Sequence, residues 1–126
     1  MINKKILYVE DEHELREIVT NDLREFFHIF EAGTIDDAFR VINEQAKIDI
    51  LITDFNLGKH ELRNGLDVAN FFKSKFPTAT IILATGSLLT PTQMNEVRKL
   101  NIKFCEKPFQ HTILRKMLHE NTSQET

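Results

Sequence analysis

Short apolar runs alternate with helix-spaced apolar stripes along this chain. Lys4–Val9 carries Ile6-Leu7-Tyr8-Val9 and predicts a strand. Asp11–Phe27 follows with Leu15, Ile18, Val19, Leu23, Phe26 and Phe27, the spacing that gathers apolar side chains on one face of a helix. His28–Ala32 predicts a short second strand, which Gly33 breaks. Thr34 then reads as an N-cap for a helix whose inward face is Ile35, Ala38, Phe39 and Ile42. Asp49–Thr53 predicts a third strand. The stretch from Asp54 to Asn64 has little periodicity and reads as a loop. Leu66, Ala69, Phe72 and Phe76 mark a third helix, which Pro77 ends. Ala79–Ala84 predicts a fourth strand. Thr90-Pro91-Thr92-Gln93 has capping-box spacing with proline at the first helical position. It opens a fourth helix carrying Met94, Val97 and Leu100. Ile102–Glu106 predicts a fifth strand, and Phe109–His119 a last helix with Ile113, Leu114, Met117 and Leu118 inward. The polar tail, Glu120–Thr126, reads as frayed.

Apolar runs without polar alternation suit strands buried on both faces, as in a parallel sheet covered by helices. Right-handed crossovers make the expected fold a doubly wound α/β sandwich. In such a sheet the strand C-termini share one edge, where ligands bind. Four of the five runs here end in chemistry. Glu10 and Asp11 follow the first strand, Asp54 the third, Thr85 the fourth and Lys107 the fifth. Three carboxylates, a hydroxyl and an amine at one edge form a site for a divalent cation and a phosphoryl group.

Each residue alone also has an ordinary structural use. Asp11 could cap the first helix with Glu14 completing the box. Asp54 could close an Asx-turn. Glu10 could be a solvated charge, Thr85 a satisfied strand-end hydroxyl, and Lys107 a surface lysine. Jointly these uses weaken. Carboxylates a few Å apart repel by about 4 kcal/mol per pair at an effective dielectric near 20. Such a cluster needs compensation, from Lys107 and from a hard cation such as Mg²⁺. Gly86 leaves space beside Thr85 for a phosphoryl-sized group.

Composition narrows the classes. At 126 residues the chain suits one domain, spanning 1–126. Hydrophobic residues are 41% and charged residues 28%, an ordinary globular balance. A net charge of −3 argues against a direct nucleic-acid interface. No apolar run approaches the ~20 residues of a membrane span, and no apolar signal segment precedes the first strand. The single cysteine suits a reducing cytoplasm. The five histidines are scattered without metal-ligand spacing.

Val9-Glu10-Asp11-Glu12, Asp54, Thr85-Gly86 and Lys107-Pro108-Phe109 end the first, third, fourth and fifth strands, in order, along the whole chain. In this the chain resembles the receiver domain of two-component response regulators, of the single-domain chemotaxis type. The resemblance implies a five-stranded flavodoxin-like sheet of strand order 2-1-3-4-5. It implies that Asp54 accepts a phosphoryl group from a histidine kinase or phosphotransfer protein. Glu10, Asp11, Asp54 and the Asn56 backbone carbonyl would hold Mg²⁺, and Thr85 and Lys107 would bind phosphoryl oxygens. Phe104 stands where the family carries its switch aromatic, with Thr85 as the other switch residue; core packing of Phe104 is the alternative. A cis Lys107–Pro108 peptide is expected as well. The implied protein works by binding a downstream partner and catalyses only its own phosphorylation and slow dephosphorylation.

The loop after Asp54 departs from the family pattern. Gly58 stands where a proline is common. Gly65 fits the glycine before the third helix, yet lies later than usual, so about three residues are inserted within Lys59-His60-Glu61-Leu62-Arg63, a tolerable surface insertion. The stretch Lys99-Leu100-Asn101-Ile102 lacks a small Gly-Ala turn. Other functions stay open at this stage. The chain could be a receiver fragment of a larger regulator or hybrid kinase, or a receiver acting only by protein contact. An aspartate-nucleophile phosphatase would want a second aspartate two residues after the first, where Asn56 stands. A flavodoxin would want a better phosphate loop than Ala84-Thr85-Gly86-Ser87.

Overall fold

The computed structural model describes residues 4–86 and 88–106. Five strands, β1 (Lys5–Val9), β2 (His28–Ala32), β3 (Ile50–Asp54), β4 (Thr80–Thr85) and β5 (Lys103–Glu106), alternate with four helices. These are α1 (His13–Leu23), α2 (Ile35–Glu44), α3 (Gly65–Lys75) and α4 (Pro91–Lys99). All strand pairs are parallel and the sheet order is β2-β1-β3-β4-β5. The expected fold is therefore the observed one. The expected last helix, Phe109–His119, lies outside the described residues, as do Lys107 and the Lys107–Pro108 bond. No helix among the described residues is long and apolar enough to cross a membrane.

Two buried layers explain the order of the chain. One packs Leu7, Val9, Leu51 and Leu83 against α2, α3 and Val97 of α4. The other packs Ile6, Tyr8, Ile50, Ile52 and Cys105 against Val19 and Leu23 of α1. Alternate strand residues serve opposite layers, so each central strand must be apolar throughout. Each fully buried Leu, Ile or Phe contributes roughly 1.5–3 kcal/mol.

The helix ends differ from expectation in informative ways. α1 stops at Leu23 rather than Phe27, because the Leu23 carbonyl accepts from both Phe26 and Phe27 N–H and turns the chain into β2. Its inward stripe is Leu15, Val19 and Leu23, while Ile18 is turned out and 55% exposed. Thr34 caps α2 by accepting from Asp37 N–H at 3.0 Å. Its other end is closed by Lys75 of α3, whose Nζ donates to the carbonyls of Ile42, Asn43 and Gln45 at 2.6, 2.9 and 2.8 Å. Thr90 and Gln93 form the expected capping box on α4, with Pro91 in its first turn. Of Met94, Val97 and Leu100, however, only Val97 is buried.

Candidate functional site

Parallel pairing carries the strand ends to one edge. Val9 pairs with Thr53, Asp54 with Ala84, and Thr85 with Glu106. Glu10 and Asp11 leave β1 at this edge, Asp54 ends β3 and Thr85 ends β4. One carboxylate oxygen from each of Glu10, Asp11 and Asp54 lies within 4.8 Å of the others. Glu10 and Asp54 are 1% and 7% exposed and Asp11 is solvent-facing. Thr85 is buried beside them.

Local structure settles two of the ordinary uses. Asp11 does not cap α1. The helix begins at His13 with Glu12 in the cap position, and Glu12 makes no side-chain cap. Asp11 therefore remains available at the cleft. Nor is Glu10 a solvated charge. Its Oε2 accepts from Glu12 N–H at 3.1 Å, its own N–H donates to the Ala32 carbonyl at 3.0 Å, and its carbonyl accepts from Arg16 Nη1 at 2.6 Å. Arg16 also lies 3.4 Å from Glu31 of β2. A surface-helix arginine thus braces the end of β1, a role that no spacing in the sequence announces.

The loop after Asp54 leaves β3 through a bend at Phe55. Phe55 and Leu57 are buried and Asn56 between them is exposed. Phe55 N–H donates to the Ala84 carbonyl at 3.0 Å, and the Phe55 carbonyl accepts from Gly65 N–H at 2.8 Å. Gly58 turns the chain with φ +129°, a conformation that side chains disfavour. The longer segment then docks on α2. Arg63 donates to Glu61 at 3.0 Å and to Asp36 at 3.1 Å, and its guanidinium lies 5.7 Å over the Phe39 ring. Asn64 and Asp67 form a capping box that starts α3. An open cleft of about 670 Å³ results. Glu10, Asp11, Glu12, Asp54, Asn56, Gly58, Lys59 and Glu61 line it.

The electrostatics match a cation site. Burial pushes the Tyr8 phenol well above its usual range, and the charges of Glu10 and Asp54 push it further. Tyr8 is 2% exposed, in the layer behind the cleft. Three hard oxygen donors, two of them held by the fold, suit Mg²⁺ better than a soft metal. Among the described residues this is the one cluster of metal-ligating side chains. Cys105 is buried in the α1-side layer, as expected of a small hydrophobe. Phe104 pairs with Leu83 and is 37% exposed, so it is not a core residue.

The family model for the response regulator receiver domain matches residues 6–119. An NtrX-like response regulator of Rickettsia typhi is 27% identical over 105 residues, which cover 82% of this chain and 22% of that protein. The chain thus spans about a fifth of the length of the curated relatives it matches. A CheY-like receiver domain from Methanospirillum hungatei superimposes with TM-score 0.85 at 17% identity, covering 97% of this chain and 95% of that one. A protein described as an adenylate cyclase from Rhodopirellula baltica superimposes with TM-score 0.85 at 19% identity, covering 98% and 90%. At such identities the structures establish the fold alone.

Proposed function

This chain belongs to the response regulator receiver family, and from that premise we propose that it is a phosphorylation-dependent signalling module whose acceptor is Asp54. The observation that carries the reading is the convergence of three carboxylates at one sheet edge, two of them buried. A fold gathers such charges at a cost unless a cation balances them.

In this reading Glu10, Asp11, Asp54 and the Asn56 carbonyl hold Mg²⁺. The ion supplies charge neutralisation for the acceptor and the transferred group. An Asp54 carboxylate oxygen forms the bond to phosphorus as the bond from phosphorus to the donor's imidazole nitrogen breaks, and that nitrogen keeps the electron pair. No base is needed, because the carboxylate is already ionised at neutral pH. Thr85 and Lys107 hold the phosphoryl oxygens. The donor is a histidine kinase or phosphotransfer protein in the cytoplasm, and residues 1–126 act as one receiver domain that then binds a downstream protein. Receiver domains are otherwise non-catalytic, and Asn56 in place of a second aspartate speaks against a phosphatase.

The same reading includes a switch. Thr85 donates to the new phosphoryl group, and Phe104 moves from its half-exposed position into the space that Thr85 leaves. Structures with and without beryllofluoride test it. If only residues 55–64 rearrange, the longer loop carries the signal instead.

The acceptor is tested by incubating wild type and Asp54→Asn with acetyl phosphate and Mg²⁺ and weighing the intact chain. Wild type is expected to gain one phosphoryl mass and the variant none. A gain that survives the substitution moves the acceptor elsewhere.

A further inference from the structure

We propose that Lys59, on the long loop between β3 and α3, selects the incoming phosphoryl donor by its charge, drawing a dianionic group to the mouth of the acidic cleft. The inference rests on Asp54 being the acceptor. The difficulty it answers is electrostatic. Glu10, Asp11, Glu12, Asp54 and Glu61 all line the cleft, and a phosphoryl donor is itself an anion. Even with a divalent cation bound, carboxylates outnumber the balancing charge at the entrance.

Two basic residues of the loop are placed differently. Arg63 is committed to Glu61 and Asp36 and lies over the Phe39 ring, away on the α2 side. It cancels the charge of Glu61 and fixes one leg of the loop. Lys59 is exposed and makes no hydrogen bond or ion pair with any described residue. It is the sole basic side chain among the described residues lining the cleft. The turn that holds it there is specific. Gly58 takes φ +129°, and Glu61 N–H donates to the Gly58 carbonyl at 3.4 Å. The backbone at Lys59 lies in this turn while its ammonium remains available to a visitor.

A positive charge at this point has opposite effects on the two species that enter. It attracts the anionic donor and repels Mg²⁺. A residue that merely shaped the loop would move both in the same direction. The test uses the full chain as wild type, Lys59→Gln, Lys59→Arg and Lys59→Glu. Phosphorylation rates are measured with acetyl phosphate, a dianion at neutral pH, and with phosphoramidate, which carries less net negative charge. Mg²⁺ affinity is measured by calorimetry without donor.

Lys59→Gln is expected to slow acetyl phosphate about threefold, to slow phosphoramidate less, and to tighten Mg²⁺ about twofold, the scale of an exposed charge. Lys59→Arg should match wild type, Lys59→Glu should exceed Lys59→Gln in both respects, and rising salt should erase the differences. Equal rates in wild type and Lys59→Gln overturn the proposal, as does a rate loss accompanied by weaker Mg²⁺ binding and a lower melting temperature. If wild type takes no phosphoryl group from either donor, the acceptor reading fails and this proposal with it. If wild type is labelled at Asp54 while Lys59→Gln is labelled equally fast, only the role of Lys59 fails.

Discussion

Gly65 has room for a hydrogen and nothing larger. A Cβ there would stand 2.2 Å from the Asp54 carbonyl oxygen and 3.1 Å from Leu83 Cδ1. Gly65→Ala must therefore push α3 away from the backbone of Asp54. It is expected to lower stability by about 1–3 kcal/mol, the usual cost of overpacking. Urea midpoints measure this; a change below about 0.5 kcal/mol would mean the two backbones part freely. The sequence marks this glycine by its place before a helix, but the close approach that requires it exists only in three dimensions. Cys105 gives a pH dependence. Burial raises its thiol above the ordinary value, so the folded state holds the proton longer than the unfolded chain. Above the unfolded pKa, about 8.5, the folded form binds more protons and stability falls with rising pH. Urea midpoints from pH 8 to 10 should decline more steeply in wild type than in Cys105→Ala. Parallel slopes would assign the alkaline loss to other groups.

Among the described helices α4 is held least. It buries Val97 alone, whereas α3 buries Leu66, Val68, Ala69 and Phe72. Local stability follows such anchoring, so α4 amides are expected to exchange faster than those of α3. Thr90→Ala removes the hydroxyl that accepts from Gln93 N–H at 3.1 Å. Loss of a cap costs about 1 kcal/mol, and exchange within α4 should quicken about fivefold with α3 unchanged. Equal quickening in both helices would show that they open together. The capping box itself was readable, because Thr90, Pro91 and Gln93 are local signals. Met94 and Leu100 carry the apolar period of this helix and are only half-buried. Periodicity ranks the faces of a helix but does not say how closely the helix sits on the sheet. α1 ends before the apolar period does for a related reason. Phe26 and Phe27 continue the apolar period, yet the chain needs those residues to turn into β2.

At the scale of the whole molecule, the shared edge is legible in apolar runs and chain polarity, whereas the strand order is legible only through the resemblance to the receiver family. The bracing of Glu10 by Arg16 and the docking of Arg63 on Asp36 are not legible, since both join elements that are distant in sequence. On the proposed reading the carboxylates couple folding to metal. At a hundred times its dissociation constant, Mg²⁺ should add about 2.7 kcal/mol. That is a melting-temperature rise on the order of 10 °C for a domain of this size. Asp11→Asn should lose most of the rise, and a calorimetric scan in which both chains gain equally would place the ion elsewhere. One further property comes with the arrangement. The chain has one tyrosine and no tryptophan, and Tyr8 is buried behind the cleft within the field of Glu10 and Asp54. Its near-ultraviolet emission therefore comes from a single ring shielded from solvent quenching. Any charge that arrives in the cleft alters the field on that ring. A charge bound in the cleft is therefore expected to register in the emission of that one ring, which a Mg²⁺ titration followed at the tyrosine band checks without a dye.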